Sequence, residues 1–179
     1  MRILLMCEGT NEEVLLNKLL DNDALNFTRD DLIGRRPYPI RQLNNPMIKA
    51  ELKHYGLPVK IYRVGDKQTD KLVIPKELKN IVSSQEIYKF CTKLEMEMLI
   101  ILGEKLEKEY EKVKSSQSPK TFAKKNIKLN GKLYDQSSNF LEEYYSGSNI
   151  KKLILSIKKY KTYKKQHNKD ELYLADLLK

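Results

Sequence analysis

The sequence predicts an α/β fold, a small and mostly parallel sheet flanked by helices, followed by a mainly α-helical C-terminal half. Three observations carry this. The chain opens on an apolar run, residues 3–7, that breaks at Glu8-Gly9-Thr10 and passes directly into a helical pattern. A second strand pattern, residues 59–64, arrives after a further helical stretch, which gives the β-α-β order of a parallel layer. Beyond residue 76, apolar residues recur at three-and-four spacing.

Taken in order, Arg2-Ile3-Leu4-Leu5-Met6-Cys7 suits a buried interior strand of a parallel sheet, paired with the strand that ends at Val64. Thr10 with Glu13 reads as a capping box, and Val14, Leu15, Leu16, Leu19 and Leu20 supply the apolar face of a helix over residues 11–20. Leu32-Ile33 reads as a short strand, and Gly34-Arg35-Arg36-Pro37-Tyr38-Pro39 as a basic loop. A second helix is expected over residues 46–55, closed by Gly56 and Pro58. Leu72-Val73-Ile74 reads as another short strand. Ile87, Phe90, Leu94, Met98, Ile101, Leu102 and Leu106 then predict one long amphipathic helix over residues 84–114. Shorter helices are expected at 119–125, at 137–145 capped by Asp135, at 148–163 and at 170–178. A single domain over residues 1–179 follows, with an α/β part at 1–105 and a helical, Lys-rich extension at 106–179.

The apolar run at residues 98–102 is far shorter than the ~20 residues a bilayer span needs, and acidic Glu8 comes too early for a signal peptide, so a cytoplasmic protein with no membrane partner is expected. Two cysteines, Cys7 and Cys91, and two histidines exclude a structural zinc site or a disulfide scaffold. The net charge of +10 is uneven: residues 1–90 hold 15 basic and 12 acidic side chains, residues 91–179 hold 19 and 12. Between residues 151 and 169 stand eight lysines and no acid, interleaved with Tyr160 and Tyr163. Lys151, Lys152, Lys158, Lys159, Lys161, Lys164 and Lys165, helped by Arg35, Arg36 and Arg41, are therefore candidate nucleic-acid-binding residues. A solvated, Lys-rich helix face is the other reading.

Glu8 stands immediately after a buried strand, at the carboxyl end of the sheet where open α/β folds bind ligands. Asp66 follows the strand ending at Val64 in the same way, and neighbouring strands would bring the two carboxylates together. Such a pair suits Mg²⁺, which takes one or two protein carboxylates, waters and phosphate oxygens. Asp66 is equally readable as an Asx-turn residue, with Asp70 the weaker second choice. Glu95 and Glu97 border the apolar stripe of the expected long helix and require a cation or metal partner there.

Ile3-Leu4-Leu5-Met6-Cys7-Glu8-Gly9-Thr10-Asn11-Glu12 resembles the opening motif of Toprim-domain proteins, above all the RloB-type and overcoming-lysogenization-type nucleases of bacterial defence loci. Lys93-Leu94-Glu95-Met96-Glu97-Met98-Leu99-Ile100-Ile101 is similar to their second block, with a glutamate in an apolar helix near the metal. The family's Asp-x-Asp is replaced by Gly65-Asp66-Lys67-Gln68-Thr69-Asp70. The resemblance covers residues 1–105 and implies a Toprim-like fold and a Mg²⁺- or Mn²⁺-dependent nuclease acting on RNA or DNA. In it Glu8 is the acid/base or metal-linked glutamate, Asp66 the strand-end metal aspartate and Glu97 the helix glutamate, all three both catalytic and metal-linked. A catalytically inactive accessory protein of the same fold, binding nucleic acid or a protein partner in a defence or phage system, is the alternative.

Overall fold

In the computed structural model, which describes residues 1–65, 71–92, 96–163 and 172–179, strand β1 forms at Arg2–Cys7. Its side chains divide by strict alternation: Ile3, Leu5 and Cys7 enter one apolar layer, Leu4 and Met6 the other. Helix α1 (Thr10–Asp21) covers the first face with Val14, Leu15, Leu16, Leu19 and Leu20. Helix α2 (Pro46–Tyr55) covers the second with Ile48 and Leu52. Local chemistry sets the ends of α2. The Asn45 side chain accepts from the amides of Met47 and Ile48, Pro46 stands in the first turn, and Gly56 closes the helix at φ 67°.

Strand β2 (Val59–Gly65) pairs parallel with β1, and β3 (Val82–Cys91) pairs parallel with β2. The sheet order is β1-β2-β3-β6, the last being the two-residue strand Leu172–Tyr173, also parallel. The expected α/β class with a small parallel sheet is therefore the observed one. Helices α3 (Glu97–Gly103), α4 (Glu107–Val113), α5 (Pro119–Asn126), α6 (Ser138–Tyr144) and α7 (Ile150–Tyr163) build the second half, with a small hairpin of β4 (Lys128–Leu129) and β5 (Lys132–Leu133) between α5 and α6. Met98–Leu102 is buried throughout, so the apolar run becomes a central helix, α3, packed against α5 and α7 in the same layer as α1. Among the described residues no helix is long and apolar enough to cross a membrane.

Several expectations are corrected. The long helix over 84–114 does not form: its first part is β3, and a left-handed Lys105 (φ 59°) separates α3 from α4. Ile87 and Phe90 suit a helical period, but Val82, Ile87, Tyr88 and Phe90 are also strand formers. Pairing with β2 decides the matter, with Tyr62 meeting the rings of Tyr88 and Phe90 edge-on at 5.5 and 5.1 Å. Strand β1 is the end of the ladder and not interior. Its outer edge is covered by a loop that forms parallel bridges at Leu32 and Tyr38 and exchanges Cys7 N–H to Tyr38 O (2.8 Å) and Tyr38 N–H to Leu5 O (2.9 Å). Leu32-Ile33 accordingly provides one bridge and a 3₁₀ turn, and residues 72–74 form no strand. At α1 the cap is Gly9, whose carbonyl accepts from Glu13 N–H at 3.1 Å, and no capping box forms. The helix expected at 170–178 is, where described, β6 followed by a 3₁₀ turn at Leu174–Leu177.

A polar bridge ties α3 to α6 and α7. Glu104 accepts from the Tyr144 hydroxyl and from Lys152 Nζ, the latter at 2.9 Å, while Lys152 lies over the Tyr144 ring. Burial would raise the Glu104 carboxyl, but the hydrogen bonds from Tyr144 and Lys152 outweigh it and hold the group below the usual carboxylate range. A lowered folded-state pKa stabilises above the unfolded value and is lost as pH falls through the folded one. Glu104→Gln is therefore expected to cost about 1 kcal/mol at neutral pH, screened by partial exposure. The difference from the parent protein should close on acidification below the carboxylate range, read by urea unfolding across pH.

Candidate functional site

At the carboxyl end of the parallel sheet three strand ends and one loop enclose an open cleft. The register builds it in two rows. Met6 aligns with Arg63 and Arg63 with Lys89; one step of the same face further on, Gly65 aligns with Cys91, and Glu8 continues β1 past Cys7. The loop after Tyr38 adds Ile40 and Arg41. Arg41 Nε donates to the Glu8 carbonyl and Arg63 Nη2 to the Arg41 carbonyl, each at 3.4 Å, so the loop is fastened to both strand ends.

Glu8 is half-buried and lies across Gly65. A Cβ at residue 65 would stand 2.4 Å from Glu8 Cγ and 2.6 Å from its Cδ, so the side-chain path of Glu8 requires glycine there. The cleft holds one described carboxylate, Glu8, among the cations Arg41, Arg63 and Lys89. Cys7 turns to the opposite layer. Burial, followed by the charges of Glu12, Glu13 and Glu8, drives its thiol far above the ordinary range, which leaves it neutral and unsuited to nucleophilic work.

The three carboxylates singled out in the sequence have different settings. Glu8 is in the cleft. Asp66 lies outside the described residues, next after Gly65, as do Asp70 and Glu95. Glu97 is buried at the start of α3, is not part of the cleft lining, and accepts from the Tyr134 hydroxyl at 3.0 Å and Gln136 Nε2 at 3.4 Å. Gln136, held at φ 71°, accepts through its carbonyl from Asn11 Nδ2, and Asn11 Oδ1 accepts from Ser138. Glu97 is thereby connected to the first turn of α1, which follows Glu8 and Gly9. Among the described residues no group of three or more His, Cys, Asp or Glu comes together. Glu97→Ala is expected to cost about 1–3 kcal/mol, because the buried Tyr134 hydroxyl loses this acceptor, whereas Glu97→Gln should stay within about 1 kcal/mol. Thermal unfolding of the two variants checks the contrast.

The lysine stripe is not acid-free in space. Lys152 pairs with Glu104, Lys159 with Glu107 and Lys161 with Asp176, and Lys158 donates to the Lys179 carbonyl. Lys151 is exposed, and Lys164 and Lys165 lie outside the described residues. Arg35 pairs with Asp30, and Arg36 lies 4.9 Å over the Tyr38 ring. The cleft cations Arg63 and Lys89 are not legible in the sequence as site residues. For Arg63 the available signal is its position two residues before a strand-end glycine; Lys89 is concealed by the helical period of its neighbours. Comparison with family models, curated proteins and solved structures gives no match.

Proposed function

We propose that this protein is a Mg²⁺- or Mn²⁺-dependent, Toprim-like phosphodiesterase acting on RNA or DNA, with its reaction centre at the Glu8 cleft. The observation that carries the reading is the placement of Glu8 across Gly65, at the strand-end crevice of a parallel sheet, beside cations suited to a phosphate. The glycine leaves the space for a carboxylate to reach the cleft, and Mg²⁺ needs only one or two protein carboxylates. Glu8 would hold it, with Asp66 the second residue in the proposal. Such an ion supplies Lewis-acid polarisation of a phosphoryl oxygen and a water acidified toward neutral pH.

The chain's own part is positional and protolytic. Arg63 and Lys89 draw the phosphate to the sheet end, and the Glu8 carboxylate takes a proton from the attacking water. Glu97 supports the start of α1 through Gln136 and Asn11. The accessory reading, nucleic-acid binding without turnover, is the alternative that the same cleft lining allows. The deciding experiment incubates the protein with tRNA, rRNA and single- and double-stranded DNA in Mg²⁺, Mn²⁺ or chelator. Metal-dependent cleavage supports the enzyme; binding with no cleavage under any condition overturns it in favour of the accessory protein.

A further inference from the structure

On α7 most of the described lysines meet an acid or a carbonyl; on α5 and the hairpin after it most do not. Residues 112–134 hold seven lysines and no Asp or Glu. Lys114 pairs with Glu111 and Lys120 is also engaged, whereas Lys124, Lys125, Lys128 and Lys132 are exposed and form no ion pair among the described residues. The hairpin lifts two of them clear of the core. Its base is fixed by buried Ile127 and Tyr134, where Tyr134 N–H donates to the Ile127 carbonyl at 3.0 Å. Its tip turns at Asn130 (φ 49°) and Gly131 (φ 81°), both left-handed as a two-residue hairpin turn requires. Nothing stands within 4 Å of a Cβ built on Gly131, so the tip faces open space. Pairing sets Lys128 opposite Leu133 and Leu129 opposite Lys132, and paired residues share a face, so the two lysines stand on opposite faces of the ribbon.

We propose that Lys124, Lys125, Lys128 and Lys132 form a docking surface for the backbone of double-stranded DNA, with the β4-β5 hairpin entering the major groove. A lysine on each face of a ribbon meets phosphate on both sides only where two backbones flank it, and the B-form major groove, ~12 Å wide, admits a two-stranded ribbon. A single strand would run along one face, and the major groove of an A-form RNA duplex is too narrow for side chains to read. Lys124 and Lys125, in the last turn of α5 just before the hairpin, extend the positive surface. The neighbouring acids are Asp135, which lies within reach of the Lys124 charge and accepts from Ser137, and Glu143, which accepts from Asn130 Nδ2 at 2.8 Å. An acidic protein fits the surface less well, because protein interfaces centre on desolvated apolar and aromatic side chains and are depleted in lysine. Among the described residues of α5 and the hairpin, Leu133 is the one exposed large apolar side chain. Residues 134–138 lead from the hairpin to the first turn of α1, where the Ser138 hydroxyl donates to Asn11 Oδ1 at 2.9 Å, so the surface adjoins the segment that follows Glu8. The proposal rests on the reading of this protein as one that acts on nucleic acid, and not on cleavage at Glu8.

The test uses the full-length protein in chelator, so that metal-dependent cleavage plays no part, and follows binding of a fluorescent DNA duplex of about two helical turns by anisotropy over a salt series. Lys128→Gln with Lys132→Gln is expected to weaken binding about tenfold and to flatten the slope of log K against log salt by about 1.8, two contacts at roughly 0.9 each. Each single variant should give about half that change in slope. Thermal midpoints should match the parent, since the side chains are exposed. Lys53→Gln with Lys79→Gln removes the same charge from exposed positions on the α2 side of the sheet and should change binding less than twofold. Unchanged affinity and slope in the hairpin variants would overturn the surface, as would an equal loss in the α2-side control. Equal affinity for a single strand of the same sequence, or for an RNA duplex, would overturn the entry into a DNA major groove. Competition by polyglutamate as effective, charge for charge, as that by duplex DNA would replace DNA with an acidic protein. A parent protein that binds no nucleic acid at all would end both this proposal and the nucleic-acid reading, whereas absence of turnover in the nuclease assay with the binding pattern intact would remove the enzyme and leave the surface standing.

Discussion

Glu8→Gln is expected to lower phosphodiester cleavage by roughly 10²-fold or more while leaving the thermal midpoint nearly unchanged. The substitution is almost isosteric, so the path of the side chain across Gly65 is preserved and no new atom enters the cleft. What disappears is the negative charge, and with it both the proton acceptor and the carboxylate offered to a cation. Asp66→Asn should also lower the rate, and the double variant should be little worse than the poorer single one, since residues that serve one reaction centre act as a unit. Cleavage rates and unfolding curves on the same preparations decide the case. A Glu8→Gln protein that unfolds while its folded fraction retains full activity would make Glu8 a structural acceptor and end the catalytic assignment.

Gly34→Ala is expected to destabilise the fold by about 3 kcal/mol or more. Gly34 has φ 63°, a conformation that costs an L-residue about 1–2 kcal/mol. Its added Cβ would stand 1.9 Å from the hydroxyl oxygen and 3.0 Å from Cζ of Tyr38, a fully buried side chain, and relief of such overpacking typically costs a further 1–3 kcal/mol. Tyr38 cannot yield easily, because its backbone is hydrogen-bonded to Leu5 and Cys7 along the outer edge of β1. Adding Tyr38→Phe removes the nearest colliding atom, so the double variant should recover part of the loss, a coupling that urea unfolding of the full cycle can measure. A Gly34→Ala loss below about 1 kcal/mol would mean that residues 32–38 shift without penalty and do not brace the edge. The same brace matters to the cleft, because the segment beyond Tyr38 carries Arg41 to the Glu8 carbonyl.

Where local chemistry was sufficient, the sequence determined the element. Asn45, Pro46 and Gly56 delimit α2, Ser118 accepts the amide that opens α5, and the unbroken apolar run makes β1 buried on both faces, whereas the cap of α6 is Ser137 and not the expected Asp135, which accepts from Ser137 instead. From that run alone the position of Glu8 at the carboxyl end of the sheet also followed, since a strand that stops at Cys7 leaves its next side chain at the sheet's rim. What the sequence could not determine were features that depend on partners distant in the chain. Residues 84–91 satisfy a helical period and a strand propensity together, and only the hydrogen-bonding edge of β2 chooses the strand. That choice places Lys89 beside Arg63, so the cationic row of the cleft does not exist until the register does. In the same way Glu97 meets Tyr134 across 37 residues, and the lysines of α7 meet Glu104, Glu107 and Asp176, acids that lie elsewhere along the chain. Caps, turns and apolar periods act over a few residues and are written in the order of the side chains. Pairing register and charge neighbourhoods arise from long-range packing, which a linear pattern does not encode.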